Sequence, residues 1–472
     1  LVIRRCRWLI DAGRTAQHST AQKNCRRRFA GLGDNQRNEP QTRKWAPFLT
    51  FIVFSRVPLL RLALIALLSA WVGGSVLAGQ SVPPNRQAAP PDPGAKYWSC
   101  FRGPKTGVSG WDNAPVDWDG PSNRGVIWKT PLAASCTSSP VVWGDRVFII
   151  EANHTERAVL AFDARTGAQL WRQVVEDGGA GAPMPSVADS ALALPTPACD
   201  ADGVYALFGT GDLACFSPQG KLRWKRFLQR PLLGYGYSSS PVVSNHMLFV
   251  QFDDQENGRV LSLETATGKT IWERDRSRGA SWSSPIVVPG PDGAPLWVAN
   301  ANGSITAFSA KGEVVWDLDG VTGQVTPSPV WADARLYLLN VGASLMCYSG
   351  DASPKLLWQY KKSLSDTSSP VVTNGLLFMS VTGGILTCVD ARSGEQLWKE
   401  RGPGAYASLV SSGDRVYCLG RDGTMLIFAA DRTYRQIGLC QLGDGTDATP
   451  AMADRRIYIR GNHFLWCLGA TP

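Results

Sequence analysis

The sequence predicts an all-β fold: a single eight-bladed β-propeller of four-stranded antiparallel blades, closed by an N-terminal strand that completes the last blade. Three observations predict it. A small-residue-plus-proline segment recurs eight times, with aligned third positions at 140, 197, 241, 285, 329, 370, 409 and 450, a period of about 44 residues within the ~40–50 expected of propeller blades. Each copy then runs through the same succession of short β-rich stretches separated by Gly, Asp and Asn turns, as four-stranded blades require. Finally, the last copy (residues 448–469) stops after its third strand, whereas Gly125–Lys129 supplies a Trp-ended strand ahead of the first copy.

Ahead of the repeats, the 472 residues carry a formal net charge of +9. That total suggests a polyanionic partner only if the charge is spread over the fold. It is not: residues 1–80 hold thirteen Lys and Arg against three acids, and the remainder balances at −1. No nucleic-acid partner is therefore expected. Residues 1–55 read as a doubtful or disordered basic leader. Because the first methionine is Met184, they also read as translation from upstream of a real start near Val53 or Val57. Residues 56–78 hold an apolar run, Leu59–Val72, behind Arg56 and interrupted by Arg61, with small residues before a cleavage point after Ala78. This is a signal peptide, or a signal anchor if it stays uncleaved, and the anchor is the only membrane contact expected. Residues 79–96 are a proline-rich linker, and the propeller occupies 97–469.

Within each copy the proline-led segment (SSPVV at 138, 239 and 368; SSPIV at 283) is the innermost strand. A second strand follows (RVFII, HMLFV, RLYLL, RVYCL), then a third (VLAFD, VLSLE, ILTCV), a TG-type turn, and a fourth ending in tryptophan. The clearest copies are Ala161–Trp171, Ser262–Trp272 and Cys388–Trp398, while Thr433–Leu439 in the seventh copy lacks the tryptophan. This A-x-D-x-x-T-G-x-x-x-W pattern resembles the pyrroloquinoline-quinone (PQQ) repeat family of β-propellers. The preface Trp98-Ser99-Cys100-Phe101-Arg102-Gly103-Pro104 resembles the opening of exported bacterial members. Within that family the chain is similar to the scaffold of outer-membrane protein assembly and, more distantly, to quinoprotein alcohol dehydrogenases. The repeat specifies fold strongly and function weakly.

The recurring tryptophans, Trp128, Trp171, Trp224, Trp272, Trp316, Trp358 and Trp398, are read as plates docking between neighbouring blades. Asp163 and Asp390, with the Thr/Ser-Gly that follows each, are read as turn formers. Nine cysteines lie in the body. Cys215, Cys347, Cys388 and Cys467 share a third-strand slot held elsewhere by Ala or Ser, and so read as packed thiols. Cys100 with Cys136 is a candidate bridge.

The resemblance to quinoprotein dehydrogenases implies a carboxylate base, a Ca²⁺ held by converging oxygens, and often a disulfide between adjacent cysteines. The sequence has no Cys-Cys pair and no C-x-x-C-H haem motif. His154, His246 and His463 occupy non-equivalent positions, which speaks against zinc. The residue three before each aligned position is expected to line the funnel mouth. That ring gives Trp282, Tyr406 and Asp447, with Tyr237 and Asp366 one residue earlier, as candidate ligand contacts. The long first interblade connection, Glu176–Leu194, is a candidate partner surface. The reading is an exported, monomeric, non-catalytic scaffold in the periplasm or cell envelope, binding envelope proteins or a peptide and calling for no cofactor or metal. The alternative is a PQQ- and calcium-dependent oxidoreductase acting on an alcohol or sugar.

Overall fold

The computed structural model describes residues 96–469, leaving aside 135, 154, 177–193, 234–235, 277–278, 320 and 324. The expected leader, signal segment and nearly all of the linker lie outside the described residues, as does most of the Glu176–Leu194 connection.

Eight antiparallel sheets form the ring of a β-propeller. Blade 1 comprises Val141–Trp143, Arg146–Ala152, Arg157–Asp163 and Gln169–Val174, counted from the axis outward. Blades 2 to 7 repeat that order. In blade 8 the strands Ala451–Ala453, Arg456–Arg460 and Phe464–Leu468 are completed by Val126–Pro131, with Trp128 opposite Cys467 and Pro131 opposite Phe464. The expected ring closure is thus present. One strand was not expected: Tyr97–Trp98 pairs with the innermost strand of blade 1 and makes that sheet five-stranded.

The burial pattern follows from strand position. Second and third strands are buried almost throughout, because each has a blade on either side; fourth strands alternate between exposed and covered residues. A register shift interrupts the third–fourth strand pairing beside the tryptophan in blade after blade, as between Ser262 and Leu263, and between Cys388 and Val389. Such a bulge re-aims the strand. In the strand Thr270–Asp275 it leaves Ile271 exposed while Trp272 is buried.

The blade joint couples the two most regular features of the repeat. Six of the seven tryptophans donate the indole N–H to a carbonyl in the third-to-fourth-strand turn of the next blade, among them Trp128 to Ala164 (3.1 Å), Trp171 to Pro218 (2.9 Å), Trp224 to Thr265 (2.8 Å) and Trp272 to Ala310 (2.9 Å). Trp358 and Trp398 do the same to Ala391 and Asp431, while Trp316 packs half-buried with Trp331. The ring lies on the glycine of that turn. A Cβ at Gly268 (φ +71°) would stand 2.6 Å from Trp224, and the glycines facing Trp128, Trp171, Trp272 and Trp358 are equally tight. Gly and Trp in the repeat are therefore the two halves of one interblade contact.

At the seam between blades 7 and 8 both halves are missing. Gly438 sits opposite Ile427, where other blades carry their tryptophan, and blade 8 has no continuous third-to-fourth-strand turn because its outer strand comes from elsewhere in the chain. Residues 111–120 fill the gap. Ala114 O accepts from Tyr417 Oη and Arg415 Nη1, both at 2.9 Å, as Ala391 O accepts from Tyr337 and Arg335 at a regular joint. Trp118 is fully buried in the same cluster, and the carbonyl of Val116 occupies the space a side chain at Gly438 would need.

Candidate functional site: the axial channel and its mouth

The innermost strands place one hydroxyl residue per blade immediately before the proline, and these residues close a ring. The backbone N–H of Ser139 donates to Thr196 Oγ1, Thr196 to Ser240 Oγ, Ser240 to Ser284, Ser284 to Ser328, Ser328 to Ser369, Ser369 to Ser408, Ser408 to Thr449 Oγ1, and Thr449 back to Ser139. All eight bonds lie between 2.9 and 3.1 Å. A proline follows seven of the eight, and it cannot donate to the neighbouring strand, so the side-chain relay supplies the lateral bonding that the first strands would otherwise lack. The sequence signal is the unbroken Ser/Thr at this position, which a reading focused on proline and small size overlooks.

One end of the channel is plugged. Residues 97–109 cross it beside the turns between first and second strands: Ser99 O accepts from Cys199 N (2.7 Å), and Gly107 and Ser109 bond the backbone of Ser411 in blade 7. Arg102 is fully buried at the centre. Its Nη1 reaches Pro329 O (3.3 Å), and its Nη2 reaches Thr106 O (2.7 Å) and Pro370 O. The W-x-x-F-R-G-P preface is therefore the axial plug, a role its sequence did not disclose.

The opposite end is the mouth, where each first strand begins. Of the candidate contacts, Tyr406 and Asp447 are brought together, through a residue the sequence reading missed. Arg421, in the turn between the second and third strands of blade 7, forms a two-point ion pair with Asp447 (2.7 and 2.9 Å). Its guanidinium also lies 3.9 Å from the Tyr406 ring centroid. Asp447 holds the Arg421 guanidinium above its ordinary range. Trp282 is half-buried in blade 4 and donates its indole N–H to Gly236 O (2.8 Å), tying it to blade 3. Asp366 accepts from Thr382 Oγ1 (2.6 Å) and N (3.0 Å), which secures a loop of its own blade. Tyr237 is not at the mouth: it is fully buried, bonded to Gln251 O (2.6 Å) and packed on Phe252.

Beneath the mouth lie buried charged pairs. Arg157 of blade 1 meets Asp212 of blade 2 at 3.0 Å, and within blade 3 Arg276 approaches Asp253 at 3.7 Å, all four being buried. Burial pushes Asp253 up to about 6 despite Arg276. Arg460, wholly buried, donates to Ser138 Oγ (2.8 Å) and Ile150 O across the seam between blades 8 and 1. These groups do not fit a calcium–quinone site. Such a cation needs several converging oxygens. Here Asp253, Asp366 and Asp447 are each engaged separately, by Arg276 with Gln251, by Thr382 and by Arg421. Among the described residues no three His, Cys, Asp or Glu side chains are grouped to hold a metal.

The nine cysteines among the described residues are unpaired. Cys215, Cys347, Cys388 and Cys467 are fully buried in their shared slot. Cys100 and Cys136 are separate free thiols rather than the candidate bridge, and burial raises Cys100 to about 11.

This geometry matches a known repertoire. A family model described as outer membrane protein assembly factor BamB (PQQ_2) matches residues 115–253, 156–400 and 256–463, which together span most of the chain. The chain belongs to this family. The outer membrane protein assembly factor BamB of Yersinia pestis is 24% identical over 327 residues, 64% of this chain and 76% of that protein. Further relatives of the same name are matched over 38–65% of their own length. Among solved structures, BamB from Moraxella catarrhalis superposes with a TM-score of 0.54 at 16% identity, covering 72% of this chain and 96% of that one. The quinohemoprotein alcohol dehydrogenase ADHIIG of Pseudomonas putida superposes with a TM-score of 0.59 at 14% identity, covering 80% and 77%. At those identities the structural likenesses speak for the fold, which PQQ-family propellers share across functions.

Proposed function

We propose that this chain is an exported, non-catalytic propeller scaffold of the cell envelope that binds proteins engaged in outer-membrane protein assembly. The observation that carries the reading is the family match across residues 115–463. The chemistry of the mouth supports it, since the carboxylates there are occupied in holding blades and loops together. In this reading residues 56–78 direct export, the propeller acts as a monomer without a cofactor, and partners dock on the mouth around Trp282, Tyr406 and Arg421 and on the Glu176–Leu194 connection.

The test is expression of the full chain with its own leader, cross-linking in intact cells and identification of captured proteins. The expected result is capture of outer-membrane assembly proteins, lost on deletion of 177–193 and reduced by Arg421→Ala. In parallel, purified protein is titrated with PQQ and Ca²⁺. Tight Ca²⁺-dependent binding with dye reduction would overturn the scaffold reading in favour of a quinone-dependent oxidoreductase.

A further inference from the structure

The plug encloses a second, separate site. Between residues 99–106 and the inner strands of blades 3 to 5, at the end of the channel away from the mouth, lies a cavity of about 210 Å³. Arg102 lines it, and so do the hydroxyl residues Ser244, Ser284 and Ser328 and the apolar residues Val243, Val287 and Phe101. No Asp or Glu is in the lining.

The electrostatics of this wall are unbalanced. Arg102 is 1% exposed, and its hydrogen bonds run to three backbone carbonyls with no carboxylate among them. Its Nε–H is buried and meets no acceptor. A buried guanidinium normally has a carboxylate or phosphate partner, because neutral carbonyls offset only part of the cost of leaving water. Burial pulls this group down to about 9, which leaves it protonated at neutral pH. The cavity therefore presents an uncompensated positive charge and several hydroxyls on one side and an apolar surface on the other.

We infer that this axial cavity binds a small aliphatic carboxylate, its head group on Arg102 and the hydroxyls and its apolar body against Val243, Val287 and Phe101. A fully hydrated inorganic anion matches only the polar wall, and a neutral alcohol leaves the guanidinium uncompensated. The volume sits below the ~300–1,000 Å³ of drug-sized ligand pockets, which limits the ligand to a short chain. This site does not depend on the scaffold reading: it lies at the other end of the channel and is built by the preface.

The experiment is calorimetric titration of the purified full-length protein with hexanoate, hexanol, hexylamine and inorganic phosphate. Hexanoate is expected to bind at least tenfold more tightly than each of the other three. Because Arg102 also pins the plug, Arg102→Lys is paired with Val243→Phe, which fills the cavity and leaves every Arg102 bond in place. Both are expected to weaken hexanoate at least tenfold while the circular dichroism spectrum stays unchanged. Equal binding of hexanol overturns the anionic assignment, and phosphate binding as tightly as hexanoate overturns the carboxylate class. Undiminished hexanoate binding by Val243→Phe, or no binding by the unaltered protein at tens of millimolar, overturns the site.

Discussion

Two adjacent serines in blade 4 make opposite predictions. Ser284 belongs to the axial hydroxyl ring and accepts the backbone N–H of Ser240 at 2.9 Å. Ser283, beside it and equally buried, has a hydroxyl with no partner. Ser284→Ala orphans the buried N–H of Ser240, which costs about 1–3 kcal/mol. Ser283→Ala removes only an unsatisfied hydroxyl and is neutral or slightly stabilising. Ser284→Thr keeps the acceptor, as Thr196 and Thr449 do elsewhere in the ring, and restores most of the loss. Urea unfolding followed by tryptophan fluorescence reads this as a lower midpoint at unchanged slope for Ser284→Ala alone. With the usual unfolding entropy per residue, a propeller of this size loses only about 1–4 °C in Tm, so the denaturant midpoint is the better measure. Equal effects of the two alanine variants, or failure of threonine to rescue, would refute the idea that the ring bonds the inner strands.

Other outcomes follow from the same geometry. Gly268→Ala drives a Cβ into the Trp224 ring and forces a positive φ, so it is expected to destabilise by more than about 2 kcal/mol. Gly144→Ala, at φ +60° with nothing within 4 Å, costs only the backbone strain of about 1 kcal/mol, and chemical denaturation compares the two. Asp253 is raised to about 6, so its stabilising contribution is complete below the unfolded carboxylate value near ~3.9 and is lost as pH rises through about 6. Unfolding free energy measured from pH 4 to 7.5 should fall with this group's titration, by up to roughly 3 kcal/mol, and Asp253→Asn should flatten that part of the profile. Deleting residues 111–120 opens the seam between blades 7 and 8, so hydrogen exchange at Tyr417 and Ile427 should speed up well before exchange in blade 3.

What the sequence disclosed and what it concealed divide along one line. Periodic features were legible because eight copies average out local noise. The strand succession, the docking tryptophans and the borrowed outer strand of blade 8 could all be read from spacing alone. Features that occur once were not, because nothing in the order of residues shows where an aperiodic segment comes to rest. Arg102 and Ala114 look like loop residues until the ring is assembled around them, and then one plugs its axis and the other stands in for a missing turn. Arg421 was hidden for the same reason, since the turns between second and third strands vary from blade to blade. Tyr237 shows a different failure: repeat position puts it near the mouth but does not show that its ring turns inward, where it packs on Phe252 in the core. The hydroxyl ring is the instructive case, because it was periodic and still overlooked. Its position tolerates Ser or Thr in every copy, and chemistry rather than size is what the eight residues share.

The fastening of the first residues of the propeller to its last gives the molecule a test of its own completeness. In a chain made N-terminus first, Tyr97–Trp98 has its blade 1 partner early and residues 111–120 gain theirs with blade 7, but Val126–Pro131 has no partner strand until Phe464–Leu468 arrives. Blade 8 then gains its outer strand, residues 111–120 gain a seam to cover, and the plug gains a closed axis to block. A chain cut short within blade 8 does not merely lose a strand at the far end. It also leaves Val126–Pro131 without its partner, a bare β-edge near the start of the propeller. Defects at the end of the sequence are thereby displayed near its beginning, as an unpaired strand.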